Sequence, residues 1–375
     1  MINKTQTARR MTRIAALAAL VAVGGMTAGC SDNDGGGPDG TGGGGGGGGP
    51  GVNGGSRSAV ANQAAVALAV INQLDAILPA APAAPAPSAA AAPKAAGQDL
   101  CSGGSGTVGT PQNSSAPPGN VPYTEAQSLN YSIATQTIDD CVLLDQDINN
   151  PGGNGIPASN TRTRITLDGQ IQSGSASTSG YGYGFASLGT EANPLSFDTR
   201  INGSAAGHSF DGSSQLDLFL RNDSKSTGEG TEAQIFSSFK FAVVGSSGGA
   251  SAGDKGTILF GKALSDRFRI GTNAAGTSLA GQYSIDTSAC KVTVVIATNT
   301  PLTRNGAGQA TAGELALTVN GTASTVAYNS DGGVTVTQGS STQTFTAQEL
   351  ATAQSTERCN AGGIAAFAGY AGSFF

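Results

Sequence analysis

Apolar and polar positions alternate along most of the chain beyond about residue 127. In the stretch TRTRITLDGQIQSG, Ile165, Leu167 and Ile171 fall on one side, while Arg164 falls on the other. A period of two is the spacing of β-strands that have one buried face and one wetted face. The pattern therefore predicts a chain dominated by half-buried strands.

The end of this region gives the clearest pattern. Residues 314–345, ELALTVNGTASTVAYNSDGGVTVTQGSSTQTF, predict four strands separated by turn signals such as Asn320-Gly321 and Asp331-Gly332. Strands joined by short hairpin turns, with no helices between them, predict an antiparallel meander. We expect a mainly β fold of roughly 10 strands, arranged as a sandwich or as a soluble barrel or half-barrel.

Helical spacing replaces the alternation in two places. Residues 57–78, RSAVANQAAVALAVINQLDAIL, place Val60 and other apolar residues on one stripe, which predicts a helix that docks on the β domain. This segment lacks the Lys/Arg face of a membrane-surface helix. Near the C-terminus, Thr346 and Glu349 match a capping box, which predicts a short helix from about residue 347 to 357.

Low-complexity segments divide the chain. A run of glycines, 42–49, is typical of a flexible tether, and the Pro/Ala-rich stretch after the helix is typical of a semi-rigid spacer. We assign a leader to 1–29, a tether to 30–56, the helix to 57–78, a spacer and loop to 79–124, and the β domain with its short C-terminal helix to 125–375.

The first 30 residues have the three-part layout of an export signal. Basic residues 1–13 precede the apolar run IAALAALVAV, which is too short to span a bilayer, and small residues then lead to Cys30. The motif MTAGC resembles the lipobox of bacterial lipoproteins, with Thr27 where that family usually has Leu. The alternative is an ordinary cleaved signal peptide, with Cys30 as an isolated thiol.

The lipobox resemblance implies that Cys30 becomes the first residue of the mature chain. It would carry a thioether-linked diacylglycerol and usually a third acyl chain such as palmitate, and two or more chains make a stable membrane anchor. In enteric bacteria, Asp directly after the cysteine implies retention in the inner membrane. Ser31 occupies that place here, with Asp32 following. We therefore expect a protein anchored in the outer membrane that faces the periplasm or the cell surface.

Charge excludes one class of partner. The formal charge of the chain is −6, and because residues 1–29 carry only basic charges, the remainder is more acidic still. An acidic domain without a basic, aromatic-rich stripe repels phosphate backbones, so we expect no nucleic-acid partner.

Four further cysteines follow Cys30, namely Cys101, Cys141, Cys290 and Cys359. An even number in an exported domain predicts two disulfides, for which three pairings are open. Sequence order favours the pairs 101–141 and 290–359. The wide spacing argues against a zinc site, which needs close cysteine pairs or histidines.

Two short motifs suggest chemistry. GHSFDG, residues 207–212, is similar to the nucleophile elbow of α/β-hydrolases, but His208 is the only histidine of the chain, so no second histidine is present to serve as the base. Asp145, Asp147 and Asn149 have the alternate spacing of calcium ligands and form a weak calcium candidate. The alternative for that segment is a solvated turn rich in Asp and Asn.

No catalytic constellation and no cofactor motif emerges from these residues. We therefore predict a membrane-anchored lipoprotein that is not an enzyme and acts as a binding module for an apolar ligand or a protein partner. The alternative is a structural or adhesive protein of the cell surface.

Overall fold

The computed structural model describes residues 60–61, 64, 101, 104–115, 119, 121–123, 126–150, 159–178, 181–205, 208–225, 230–245, 254–287, 291–305 and 310–356. Within these ranges, the chain forms one antiparallel sheet of 16 strands and one short helix near the C-terminus. The prediction of a mainly β, antiparallel fold is confirmed.

The strands are β1 (Thr107–Val108), β2 (Gln112–Ser114), β3 (Tyr131–Asn150), β4 (Ser159–Thr178), β5 (Tyr181–Leu188), β6 (Leu195–Ala205), β7 (His208–Lys225), β8 (Thr231–Gly245), β9 (Asp254–Phe260), β10 (Phe268–Asn273), β11 (Gly276–Thr287), β12 (Lys291–Arg304), β13 (Ala310–Val319), β14 (Thr322–Tyr328), β15 (Val334–Gln338) and β16 (Ser341–Phe345). The helix is α1 (Ala347–Thr356). β1 and β2, which lie within the stretch assigned to the spacer and loop, both pair with β3.

The last four strands follow the predicted pattern closely. β13, β14, β15 and β16 pair in sequence order, each antiparallel to the next. Asn320 and Gly321 join the first two with φ angles of 48° and 85°, the left-handed geometry of a tight hairpin turn. The same dipeptide does not form a turn everywhere, since Asn202 and Gly203 lie inside β6 and pair with β7.

Two rows of the sheet are interrupted, which is one reason why the strands outnumber the prediction. β5 and β6 together fill one row between β4 and β7, and β9 and β10 fill one row between β8 and β11. We call residues 189–194 the first excursion and residues 261–267 the second excursion. Each begins with a glycine of nearly the same conformation, Gly189 with φ 76° and Gly261 with φ 75°.

At each interruption, the neighbouring strand carries a glycine followed by a glutamine. Gly169 of β4 and Gly281 of β11 have φ angles of 128° and 142°. The residue after each is a glutamine, and the carbonyls of Gln170 and Gln282 accept the N–H of the glycine that opens the excursion, at 2.7 and 2.8 Å. The segments LDGQ and LAGQ therefore build the same local structure twice.

One side of the sheet, which we call the inner face, carries a continuous apolar cluster. It runs from Ile138 in β3 to Leu350 in α1 and includes Val60, Ala61 and Ala64. Those three residues are helical and are the described part of the predicted helix 57–78. They are buried in the cluster, as expected for a helix that docks on the domain.

The opposite side, the outer face, is buried in a region that extends from β3, β4 and β5 to parts of β7 and β8. A second apolar cluster lies there, made of Val121, Ala126, Tyr131, Ile133, Ala176, Tyr183 and Phe185. Val121 and Ala126 belong to the chain that leads into β3, which we call the cover segment (residues 119, 121–123 and 126–130). The cover segment lies over part of the outer face and shields it from solvent.

The C-terminal helix begins where the capping box predicts. The Thr346 hydroxyl accepts the backbone N–H of Glu349 at 3.2 Å, and the Glu349 carboxylate accepts the backbone N–H of Thr346 at 2.8 Å. Leu350 and Ala353 are buried in the inner-face cluster. The capping box is therefore confirmed, and it orients α1 against the sheet.

Candidate functional site

The predicted pairing of Cys101 with Cys141 is present. Their Cα atoms are 4.9 Å apart, and Cys141 is fully buried in the inner-face cluster. The bond fastens the chain ahead of β1 to the middle of β3. Cys30, Cys290 and Cys359 lie outside the described residues.

The calcium candidate lies in a regular strand rather than in the solvated turn that was its alternative. Asp145, Asp147 and Asn149 belong to β3 and pair with β4. The Asp145 carboxylate accepts hydrogen bonds from Nε and Nη2 of Arg162 at 3.1 and 3.2 Å. These bonds hold the pKa of Asp145 below its usual range. Across the described ranges, no group of three His, Cys, Asp or Glu side chains is arranged for a metal ion.

Residues 208–212 of the elbow-like motif also lie in a strand. His208 opens β7 and pairs with Ala205 of β6, and Ser209 pairs with Ser204. A nucleophile elbow needs a sharp turn from a strand into a helix. The motif here is instead the start of a hairpin strand.

The main concentration of buried charge lies elsewhere, on the outer face beside the cover segment. β5, β7 and β8 place polar side chains on that side, and each excursion adds one more. We call the set the polar cluster: Tyr183, Glu191, Arg221, Asp223, Gln234 and Arg267. Sequence analysis did not identify any of these residues.

Arg221 and Asp223 form the centre of the polar cluster. Only 3% of Arg221 and 0% of Asp223 are exposed. Arg221 Nε donates to Asp223 Oδ1 at 2.8 Å, and Nη2 donates to the Tyr183 hydroxyl at 2.6 Å. The Tyr183 hydroxyl in turn donates to Asp223 Oδ1. Two donors, Arg221 Nε and the Tyr183 hydroxyl, thus converge on Asp223 Oδ1. Asp223 Oδ2 has no hydrogen-bond partner among the described residues.

Burial and charge act in opposite directions on this pair. Burial raises the pKa of the Asp223 carboxyl, and the attraction of Arg221 only partly offsets it. Burial alone would lower the pKa of the Arg221 guanidinium, but Asp223 and Tyr183 raise it. Burial, reinforced by the Asp223 carboxylate, raises the pKa of Tyr183 and keeps its hydroxyl a hydrogen-bond donor.

Arg267 joins the two excursions. Its Nη2 forms an ion pair with Glu191 Oε1 at 3.0 Å, which links the second excursion to the first. Its Nη1 donates to Gln234 Oε1 at 2.8 Å, and its Nε donates to the carbonyl of Leu264 at 2.6 Å. The guanidinium also lies 4.2 Å from the ring centre of Phe219. The two repeated interruptions of the sheet therefore meet at one buried arginine.

The cover segment is held by the same face. Arg221 Nη1 donates to the carbonyl of Gly119, and the Tyr131 hydroxyl donates to the carbonyl of Ala126 at 2.5 Å. The Lys225 ammonium lies 4.4 Å from the ring centre of Tyr123. These contacts fix the cover segment over the aromatic side chains of β5.

A cavity of about 260 Å³ remains between the cover segment, the first excursion and the outer face of β3, β4, β5 and β7. Its apolar lining comes from Ile133, Phe185 and Phe219. Its charged lining comes from Arg221 and Glu191. Such a mixture of apolar surface and a few fixed polar groups is characteristic of binding sites for small molecules.

The sequence carries one signal that would have indicated this site. Leu218, Phe219 and Leu220 are three consecutive apolar residues, which breaks the alternation of β7. All three are buried, so the strand is covered on both faces at this point. An uninterrupted apolar run inside an otherwise alternating strand therefore marks the place where the outer face is covered.

No protein-family model matches this chain, and comparison with characterised proteins and with solved structures returns no match. The helices within the described residues are all too short or too polar to cross a bilayer.

Proposed function

We propose that this chain is an exported lipoprotein, anchored to the outer membrane through acyl chains on Cys30, whose β domain is a non-catalytic binding module. The anchor is supported by the basic, apolar and small-residue order of residues 1–29 and by the motif MTAGC. The glycine-rich tether gives the domain reach away from the membrane.

The observation that carries the binding function is the cavity beside the polar cluster. Burying the charges of Arg221, Asp223 and Arg267 is costly unless each of them is paired and hydrogen-bonded. In this domain, those pairs fix the cover segment and the first excursion around a space of about 260 Å³. The lining combines apolar and charged groups, which favours a small molecule with polar groups over a purely apolar one.

The anchor is tested by metabolic labelling with an alkynyl fatty acid, comparing the wild-type chain with Cys30→Ser. We expect label on the wild-type chain only, and we expect the variant to leave the membrane fraction after an alkaline wash. Label that persists on Cys30→Ser would show that the anchor assignment is wrong.

The binding function is tested by native mass spectrometry of the wild-type chain extracted from membranes in detergent. We expect an adduct of small mass that is lost when the protein is denatured. A bare chain that self-associates at the cell surface would instead favour the structural or adhesive alternative.

A further inference from the structure

We propose that the outer-face cavity binds an uncharged ligand of about one ring in size, which has an apolar face and at least one amide or hydroxyl group. This inference rests on the proposed binding function and specifies its ligand. Size, charge, hydrogen bonding and apolar surface each point to this class.

The cavity volume limits the ligand to about one ring. A cavity of roughly 150 Å³ lined by apolar side chains accommodates benzene. The cavity here has about 260 Å³, which leaves room for a ring with one or two polar substituents. Sites for larger ligands usually have 300–1,000 Å³, roughly.

The charges around the cavity are already balanced. Arg221 is paired with Asp223 at 2.8 Å, and Glu191 is paired with Arg267 at 3.0 Å. A ligand with a net charge would add a buried charge that has no counter-charge of its own, which is strongly unfavourable. The lining therefore selects against carboxylates and ammonium groups and favours an uncharged molecule.

Arg221 nevertheless has one N–H group that can donate a hydrogen bond to a ligand. A guanidinium carries five N–H groups. Nε and Nη2 are directed at Asp223 and Tyr183. Nη1 donates one of its two N–H groups to the carbonyl of Gly119, and its other N–H has no acceptor among the described residues. An apolar ligand would leave that donor unsatisfied in a buried place, whereas an amide or hydroxyl oxygen would accept it.

The opposite wall offers apolar and amide groups. Ile133, Phe185 and Phe219 present an apolar surface against which the face of a ring packs. Gln172 also lines the cavity, and its Nε2 donates to Thr135 Oγ1 at 3.0 Å, so its carboxamide orientation is fixed. A ring with a polar edge satisfies both kinds of lining at once.

The test uses four probes of one shape: benzamide, which is uncharged and polar; benzoate, which is anionic; benzamidine, which is cationic; and toluene, which is apolar. Binding to the full wild-type chain in detergent is measured by saturation-transfer NMR and titration. We expect benzamide to bind saturably and the other three to bind at least tenfold more weakly.

Two tryptophan variants locate the binding. Ala192 is exposed and lines the cavity, so Ala192→Trp fills the space without disturbing the inner face. Ala275, which is exposed in the turn between β10 and β11, provides the matched control Ala275→Trp. We expect benzamide binding to be lost in the first variant and kept in the second.

The possible failures are distinguishable. If benzamide still binds to Ala192→Trp, the proposed site is wrong. If benzoate, benzamidine or toluene binds the wild-type chain more tightly than benzamide does, and Ala192→Trp abolishes that binding, the site is right and only the ligand class is wrong. If no probe binds but the extracted protein carries an adduct, the ligand class is wrong and the binding function stands. If no probe binds and no adduct is present, both proposals fall.

Discussion

The Arg221–Asp223 pair is the most deeply buried ion pair within the described residues. Its carboxylate is fully buried, and one of its oxygens lacks a hydrogen-bond partner there. Asp223 therefore depends on Arg221 and Tyr183 for compensation of its charge. A buried pair of this kind contributes little net stability when intact, but losing one partner leaves an uncompensated charge.

Replacing Arg221 with Met keeps most of the side-chain volume and removes the charge. We expect Arg221→Met to lower the free energy of unfolding by about 3–5 kcal/mol, because Asp223 stays buried without its partner. Urea denaturation followed by circular dichroism measures the change. The control Arg200→Met, at an exposed position on the same face, should change stability by less than about 0.5 kcal/mol. Equal effects of the two substitutions would show that the folded state does not depend on pairing Asp223 with Arg221.

Glu232 adds a pH dependence to the same face. It lies directly across from Asp223 in the pairing of β7 with β8. Burial raises the pKa of Glu232, the charge of Asp223 raises it further, and Arg269 opposes both. Because the pKa is higher in the folded state, the folded protein loses stability relative to the unfolded chain as the pH rises from the unfolded pKa through the folded pKa.

We therefore expect Glu232→Gln to stabilise the protein at pH 7 and to have little effect below the pKa of the unfolded carboxyl. The substitution removes a charge that the folded state disfavours, and at low pH that charge is already absent. Urea midpoints at pH 7 and pH 3.5 measure the difference, with Asp211→Asn at an exposed site of β7 as the baseline. A larger gain at pH 3.5 than at pH 7 would contradict the sign.

At the scale of elements, the repeated interruption of the sheet depends on glycine. A Cβ atom added at Gly281 would lie 2.7 Å from the Cα of Phe268, and the φ angle of 142° is itself unfavourable for other residues. Gly271 in the adjacent strand β10 has open space where a Cβ would go. The two glycines are thus a natural test and control.

We expect Gly281→Ala to lower the free energy of unfolding by more than about 1 kcal/mol, because the backbone and Phe268 must both move. Gly271→Ala should be within about 0.5 kcal/mol of the wild type. Chemical denaturation of both variants, at the same pH, measures this. If both alanines are tolerated equally well, the close approach at Gly281 is not needed for the second excursion.

The elements that the sequence predicts well are those with local determinants. The four strands from Glu314 to Phe345 need only alternation and turn residues, and the capping box of α1 needs only Thr346 and Glu349. The excursions are different, because the role of Gly169 depends on Leu195, a residue in another strand. The site is less predictable still, because Arg221 reaches Gly119 over 102 residues of sequence.

The whole molecule is organised around one continuous apolar cluster. The inner-face cluster joins residues of β3 and β4 to those of β16 and α1 without a break. A single core of this kind favours one cooperative unfolding transition rather than separate transitions for the two ends of the sheet. The Cys101–Cys141 disulfide is attached to this cluster at the β3 edge of the sheet, because the Cys141 side chain belongs to the cluster.

Removing this disulfide should therefore shift the whole transition rather than release one edge. For a closed loop of 40 residues, the chain-entropy relation predicts a loss of about 4 kcal/mol. We expect Cys101→Ala/Cys141→Ala to unfold at a lower urea concentration, with the far-ultraviolet signal of the sheet and the near-ultraviolet signal of the buried tyrosines still coincident. A control in which Gly271→Ala is measured with the same two signals tests their coincidence when the disulfide is intact. If the two signals separate in this variant but coincide in Gly271→Ala, the single transition depends on the disulfide and not on the shared cluster.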